Sequence, residues 1–151
     1  MQHVQTRSTT SALVLTAVLI ALATLFTMYT KIPVPGIRGY FNVGDVVIMT
    51  SALLLGRKYG AYIGAIGPAL ADLFLGYAVF VPITFVVKGI EGYLVGTVYN
   101  NKTTTSALVA TIVGGITIVA GYFIAEYFVF DLGVAIASIL PTAIQAVMSV
   151  I

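Results

Sequence analysis

The feature that most constrains this chain is a series of long apolar segments with few charged side chains. The stretch from Ser8 to Thr30 carries no charge, and similar runs recur along the chain as far as Ile151. Because a helix needs about 20 apolar residues to cross a bilayer, these runs predict membrane-spanning helices. Only 8% of the residues are charged, whereas soluble domains carry about 25%. The chain is therefore predicted to be an all-α integral membrane protein.

Charges, prolines and glycines divide the chain into six apolar segments. They cover, to within a few residues, 10–28, 43–55, 60–75, 81–98, 104–128 and 132–151. Together they predict a single transmembrane domain, residues 1–151, folded as a bundle of six helices. The sixth segment is still apolar at Ile151, which leaves open a last helix longer than the sequence contains.

The first segment admits a second interpretation. Arg7 precedes an apolar run that includes Ala21-Leu22-Ala23, a small-residue pattern typical of signal-peptide cleavage sites. The uncharged stretch is nevertheless long enough to span a bilayer, which favours a permanent first helix.

The lysines and arginines between the segments predict the orientation, because short cytoplasmic loops are rich in these residues. A cytoplasmic N-terminus places four of the six loop cations inside: Arg7, Arg57, Lys58 and Lys102. Lys31 and Arg38 then lie outside. The opposite orientation would place four cations outside and two inside. We therefore expect both termini in the cytoplasm.

The connection at residues 29–41 is richer in special residues than a surface turn requires. Pro33 and Pro35 prevent a regular helix and push the residue before each of them to extended geometry. The same stretch carries the cations Lys31 and Arg38 and three aromatic residues. We expect it to do more than connect two helices.

Residue types that the chain lacks exclude several kinds of site. There is no cysteine, and the only histidine is His3 in the polar N-terminal stretch. Disulfides, cysteine or histidine catalysis, and metal sites built from these residues are therefore excluded, and we predict no metal site. The net charge of +2 does not indicate binding to nucleic acid.

The strongest indication of a functional site is a charged pair inside the fourth segment. Lys88 and Glu91 lie three residues apart in the stretch FVVKGIEGYLVG. Each charge near the bilayer centre costs about 2.5–3.5 kcal/mol on insertion scales, so such groups pair and turn inward. On a helix the two share a face with Thr84 one turn earlier. A structural ion pair is one interpretation, and the floor of a binding pocket is the other.

Polar side chains in the other segments are predicted to converge at a similar depth. They are, in chain order, Asn42 and Asp45, Asp72, Tyr122 and Glu126, and the helical stripe Ser138, Thr142, Gln145 and Ser149. Converging stripes favour a pocket that opens to the outside. Binding suits this inventory better than catalysis, although Glu91 or Glu126 as general base of a membrane enzyme is a rival interpretation.

Three stretches carry a resemblance to a known family: GYFNVGD at residues 39–45, KGIEG at 88–92 and GYFIAE at 121–126. At this spacing the chain, from about Ser11 onward, resembles the S component of an energy-coupling factor (ECF) vitamin transporter. The resemblance implies six helices around one small molecule near the extracellular side, with the 29–41 loop as a lid. It also implies partners, namely a membrane coupling subunit and two ATPases. An A-x-x-x-A motif usually lies at that interface, and Ala17 and Ala21 match it.

The last segment departs from the subfamily pattern P-x-N-x-x-Q. Pro141 matches, but Ala143 occupies the asparagine position and Gln145 comes one residue early. The departure predicts a substrate that differs from that of relatives with the asparagine, or is smaller.

The predicted function is capture of a water-soluble vitamin or precursor resembling hydroxymethylpyrimidine or pyridoxine. Carboxylates at Glu91 and Glu126 suit amino or hydroxyl donors on a ring, and Tyr40, Phe41 and Tyr122 suit stacking on it. The predicted site comprises Tyr40, Asn42, Asp45, Thr84, Lys88, Glu91, Tyr122, Glu126 and Gln145. A riboflavin-type S component and a structural membrane subunit are further alternatives.

The chain itself is predicted not to be an enzyme and to bind no cofactor. It has no nucleotide-binding loop, so ATP would act through the partner subunits. We expect a multi-pass protein of a prokaryotic plasma membrane.

Overall fold

A computed structural model describes residues 9–33, 40–99 and 103–150 of the chain. Six helices lie within these residues: α1 Thr9–Tyr29, α2 Asp45–Leu55, α3 Arg57–Phe74, α4 Phe80–Val98, α5 Thr104–Val129 and α6 Leu132–Val150. By length and composition α1, α4, α5 and α6 are able to cross a membrane, and α2 is a shorter apolar helix. The prediction of a six-helix membrane bundle is confirmed.

Two short strands lie between α1 and α2. Strand β1, Ile32–Pro33, pairs antiparallel with β2, Tyr40–Phe41, so that Ile32 faces Phe41. We call this pair the β-ribbon. The sequence predicted extended geometry and a lid here, but not the pairing of the two ends of the loop. Residues 34–39, with Pro35 and Arg38, lie outside the described residues, as do Arg7 and Lys102, so the orientation stays a prediction.

A single glycine joins α2 to α3. Gly56 has φ of 85°, a left-handed conformation that glycine adopts without steric cost. Its N–H donates to the carbonyl of Ala52, which ends α2, while Arg57 already begins α3. This tight corner places the two helices side by side.

Close glycine contacts fix α3 against α4. A Cβ on Gly64 would overlap the backbone carbonyl of Lys88, and one on Gly92 would overlap the carbonyl of Gly60. Small residues allow membrane helices to approach in this way, because packing is the main attraction between them in lipid. These glycines therefore act as packing residues, and the contact holds Lys88 directly beside α3.

Three buried apolar clusters connect helices α1 to α5. Ala23, Val47 and Ile63 join α1, α2 and α3. A second cluster joins α2, α4 and α5, and consists of Met49, Ala52, Val95, Ala110 and Ile118. The third lies at the N-terminal end of α4, where Phe80, Ile83 and Val87 pack against Tyr122 of α5. Polar side chains fill the space between these clusters and form the site described next.

Candidate functional site

A cavity of about 50 Å³ lies between the β-ribbon and the helices. Every helix except α2 contributes to its wall, together with β2 and the Asn42 that follows it. The lining residues are Thr27, Tyr40, Phe41, Asn42, Pro68, Asp72, Phe80, Thr84, Lys88, Tyr122, Glu126, Ser138, Pro141, Thr142 and Gln145.

Most of the predicted site residues meet at this cavity. Seven of the nine line it: Tyr40, Asn42, Thr84, Lys88, Tyr122, Glu126 and Gln145. The other two, Asp45 and Glu91, are buried behind Lys88 rather than in the lining. The residues with acidic or basic side chains are thus divided between the cavity wall and the layer behind it.

Lys88 and Gln145 of the wall, together with Asp45 and Glu91 behind it, form a buried polar group that we call the Lys88 cluster. Lys88 Nζ donates to Asp45 Oδ1, and Gln145 Nε2 donates to Asp45 Oδ2 at 2.6 Å. The backbone N–H of Asn42 donates to Gln145 Oε1 at 3.2 Å. The cluster therefore ties α2 to both α4 and α6.

The sequence predicted that Lys88 pairs with Glu91, but in the structure Asp45 is its closer partner. Glu91 Oε2 lies 3.5 Å from Lys88 Nζ, which is longer than the roughly 2.7–2.9 Å of a strong charged hydrogen bond. Asp45 takes the closer position because α2 packs directly against α4. Glu91 is fully buried, and neither of its oxygens accepts a hydrogen bond from the described residues. One ammonium group therefore serves two carboxyl groups.

A second group, which we call the Asp72 cluster, joins the β-ribbon to α3 and consists of Tyr40, Asp72 and Tyr77. The Tyr40 hydroxyl donates to Asp72 Oδ1 at 2.5 Å, and the Tyr40 and Tyr77 rings are 4.9 Å apart. Lys31 Nζ lies 5.3 Å from the centre of the Tyr77 ring. Burial and the neighbouring Asp72 carboxylate raise the pKa of Tyr40, so its hydroxyl stays a donor at neutral pH.

The α5 side of the cavity presents an aromatic hydroxyl and a carboxylate. The hydroxyls of Tyr122 and Thr84 share a hydrogen bond of 3.0 Å, and Lys88 Nζ lies 5.6 Å from the Tyr122 ring centre. One turn on, Glu126 Oε2 accepts a hydrogen bond from Ser138 of α6. The wall thus combines aromatic faces, hydrogen-bond acceptors and one cation.

Sequence reasoning missed several residues of the cavity. Asp72 was expected among the converging polar side chains but was not named in the predicted site, and Thr27 belongs to an apolar helix that showed no polar stripe. Thr27 is buried, and its hydroxyl has no hydrogen-bond partner in the described residues. A Cβ on Gly44 would overlap this hydroxyl, so the glycine of the GYFNVGD stretch is what lets α1 approach. Only the packed structure reveals that contact.

The two alanines of the A-x-x-x-A motif lie on the outer surface of the bundle. Ala17 and Ala21 are both exposed on α1, whereas Ala23, two residues on, is buried against Gly67 of α3. No group of three histidine, cysteine, aspartate or glutamate side chains within the described parts of the chain is arranged to hold a metal ion.

Comparisons with known proteins agree with the fold and the motifs. Residues 7–151 match the sequence model of the family described as ECF-type riboflavin transporter, S component. An uncharacterized protein in the gap 3' region of Pyrococcus woesei is 40% identical over 131 residues, which is 85% of this chain and 86% of that protein. The thiamine precursor transporter HmpT of Lactococcus lactis subsp. cremoris (strain MG1363) is 29% identical over 134 residues, 88% of this chain and 75% of that protein.

A solved structure shares the same architecture. It is described as "Structure and mechanism of the S component of a bacterial ECF transporter", and it superposes with a TM-score of 0.71 over 93% of this chain and 89% of that chain at 18% identity. At that identity the match speaks for the fold alone, while the family match covers nearly the whole sequence. The chain belongs to the ECF-type riboflavin transporter S component family, a family of membrane transport subunits rather than enzymes.

Proposed function

We propose that this chain captures a small single-ring vitamin or vitamin precursor, of the hydroxymethylpyrimidine or pyridoxine type, for import by an ECF transporter. The observation that carries this proposal is the cavity, which is small and is lined by aromatic rings, carboxylates and one lysine. This combination suits a flat ring that bears amino or hydroxyl groups.

The chemistry of the lining supports such a ligand. Ionised carboxylates are hydrogen-bond acceptors only, so Asp72 and Glu126 suit amino and hydroxyl donors. Lys88 is a donor only, and it suits a ring nitrogen or a hydroxyl oxygen. Tyr40, Phe41 and Tyr122 offer aromatic faces on which a ring can stack.

The size of the cavity favours one ring over three. Pockets for drug-sized ligands occupy roughly 300–1,000 Å³, and the cavity here measures about 50 Å³. Its walls must therefore move outward to admit any ring compound. A single ring requires a much smaller displacement than the three fused rings of riboflavin, and the β-ribbon is the part of the wall that is not embedded among helices.

The relatives support the same class of substrate without fixing it. The Lactococcus lactis relative is a thiamine precursor transporter, and hydroxymethylpyrimidine is such a precursor. The family description instead names riboflavin. Riboflavin is therefore the second candidate, and the titration described below includes it.

S components work with a membrane coupling subunit and ATPases. For this chain we propose that the face of α1 with the exposed Ala17 and Ala21 docks on the coupling subunit. We also propose that two ATPase subunits, rather than this chain, hydrolyse ATP. We further propose that both termini are cytoplasmic, that the cavity opens to the outside, and that the membrane is the plasma membrane of a prokaryote.

Titration calorimetry of the purified protein in detergent tests the proposed substrate class. The compounds are 4-amino-5-hydroxymethyl-2-methylpyrimidine, pyridoxine and riboflavin. We expect one of the single-ring compounds to bind with one molecule per chain, and at least about 100-fold more tightly than riboflavin, a difference of about 2.7 kcal/mol. Tight binding of riboflavin with no binding of either small ring would overturn the proposal.

A further inference from the structure

The carboxyl group of Asp72 has a hydrogen-bonding capacity that the protein leaves unused. Its side chain is 3% exposed and lines the cavity from α3. Oδ1 accepts the hydroxyl of Tyr40, but Oδ2 is buried and accepts no hydrogen bond from the residues that the structure describes. Buried polar atoms without a partner are rare in native proteins, because each loses its hydrogen bonds to water without replacement.

Neighbouring side chains in the described residues do not donate a hydrogen bond to Asp72 Oδ2. The Thr84 hydroxyl lies beside the same carboxyl group, but it is outside hydrogen-bonding geometry with Oδ2 and shares its hydrogen bond with Tyr122. Glu126, the other carboxylate of the described lining, accepts a hydrogen bond from Ser138. Among the carboxyl groups lining the described cavity, Asp72 alone has a fully buried oxygen without a donor.

The orientation of the carboxyl group is set by its contact with Tyr40. The Tyr40 hydrogen bond holds Oδ1 from the β-ribbon, and the Tyr77 ring packs against the Tyr40 ring. The carboxyl group is therefore oriented before a ligand arrives, which is the arrangement that gives selectivity at low entropic cost.

We propose that Asp72 is a specificity-determining residue whose Oδ2 accepts a hydrogen bond from an amino group on the substrate ring. This inference rests on the proposed function of binding a single-ring compound. A ring that carries an oxo group at the same position would place its oxygen against Oδ2, two acceptors facing each other. A site built to pair with a donor rejects the analogue that lacks it, because the buried group is then left unpaired.

The test compares two probes on the full-length protein in detergent. They are 4-amino-5-hydroxymethyl-2-methylpyrimidine and the analogue with an oxo group in place of the 4-amino group. Wild-type protein should prefer the amino compound by about 100-fold or more in Kd. Asp72→Asn offers an amide N–H2 that donates to the oxo group, so the preference should fall to below about tenfold or reverse.

Two further variants separate specificity from stability. Tyr40→Phe removes the hydrogen bond to Oδ1 and leaves the carboxylate in place, so it should weaken both probes while keeping the preference for the amino compound. Asp72→Ser removes the carboxylate with a smaller side chain, and it should lose the preference even if Asp72→Asn folds poorly.

The outcomes distinguish this inference from the proposed function. If wild-type protein binds neither pyrimidine, this inference is overturned, and the proposed function fails with it only if pyridoxine does not bind either. If wild-type protein binds the oxo compound as tightly as the amino compound, or if Asp72→Asn keeps the wild-type preference, the proposed function stands and the role of Asp72 is overturned.

Discussion

The Lys88 cluster and the Asp72 cluster both contain buried carboxyl oxygens without a hydrogen-bond donor among the described residues, but these oxygens belong to different layers. Glu91 lies behind the cavity wall, whereas Asp72 lines the cavity. In the first, Asp45 accepts hydrogen bonds from both Lys88 and Gln145, and three helices are tied together. In the second, Asp72 accepts one hydrogen bond from the β-ribbon and keeps one buried oxygen unpaired. The difference suggests that the two clusters have separate roles. The first forms the floor of the cavity and stabilises the bundle, and the second recognises the ligand.

If this division is correct, substitutions in the Lys88 cluster affect folding first, and substitutions in the Asp72 cluster affect binding first. The largest effect is expected for Lys88→Met. It leaves Asp45 and Glu91 buried without their cation, which costs about 3–5 kcal/mol. Unfolding by a denaturing detergent, followed by circular dichroism, measures this loss. A free energy of unfolding within 1 kcal/mol of wild type, on the order of an exposed ion pair, would mean that the cluster does not stabilise the bundle.

A second pair of variants identifies the partner of Lys88. Combining Lys88→Met with Asp45→Asn removes the closer carboxylate and keeps an oxygen that accepts from Gln145. Combining Lys88→Met with Glu91→Gln leaves Asp45 charged. We expect the first double variant to recover about 1–3 kcal/mol more stability than the second.

Both double variants also test the floor of the cavity. Each removes the ammonium group, so each should bind the pyrimidine at least about tenfold more weakly than wild type. A folded double variant that binds ligand as wild type does would show that the cluster is purely structural.

In the Asp72 cluster a smaller effect on stability is expected. Tyr40→Phe removes one hydrogen bond to a carboxylate at the edge of the bundle, and it should lower the free energy of unfolding by about 1–2 kcal/mol. The same unfolding assay measures it beside Lys88→Met. A loss as large as that of Lys88→Met would remove the contrast between the two clusters.

The smallest effect on the isolated chain is expected on the outer face of α1. Ala17→Leu and Ala21→Leu alter exposed positions, so each should change stability by less than about 0.5 kcal/mol and leave ligand binding intact. Co-purification with the coupling subunit should nevertheless fall, because a larger side chain prevents close helix approach. Ala137→Leu, at an exposed position of α6, is the matched control and should not affect assembly. Equal co-purification of all three variants would contradict the proposed interface.

The helices were predictable from the sequence, because charges, prolines and glycines bound each apolar run. The predicted fifth segment, 104–128, and α5, Thr104–Val129, differ by one residue. The β-ribbon was not predictable in the same way, since its strands have two residues each and show no alternating pattern. Their pairing depends on contacts between the two ends of a loop.

Most residues of the site were predictable from the sequence, but the hydrogen bonds between them were not. Polar residues stand out in apolar helices, so most of the lining could be named from the sequence. The sequence could not show that Lys88 bonds to Asp45, because these residues are 43 positions apart and meet only through packing of α2 on α4. Nor could it show that Asp72 bonds to Tyr40, because these residues are 32 positions apart and meet only where the β-ribbon approaches α3.

The central claim is that one single-ring compound occupies the cavity between the two clusters. Native mass spectrometry of the chain, purified from cells grown with hydroxymethylpyrimidine, pyridoxine and riboflavin together, tests this claim most directly. We expect one bound molecule per chain with the mass of a single-ring compound, and we expect its loss in the variant that combines Lys88→Met with Asp45→Asn. A bound flavin, or an equal amount of ligand in that variant, would contradict the account.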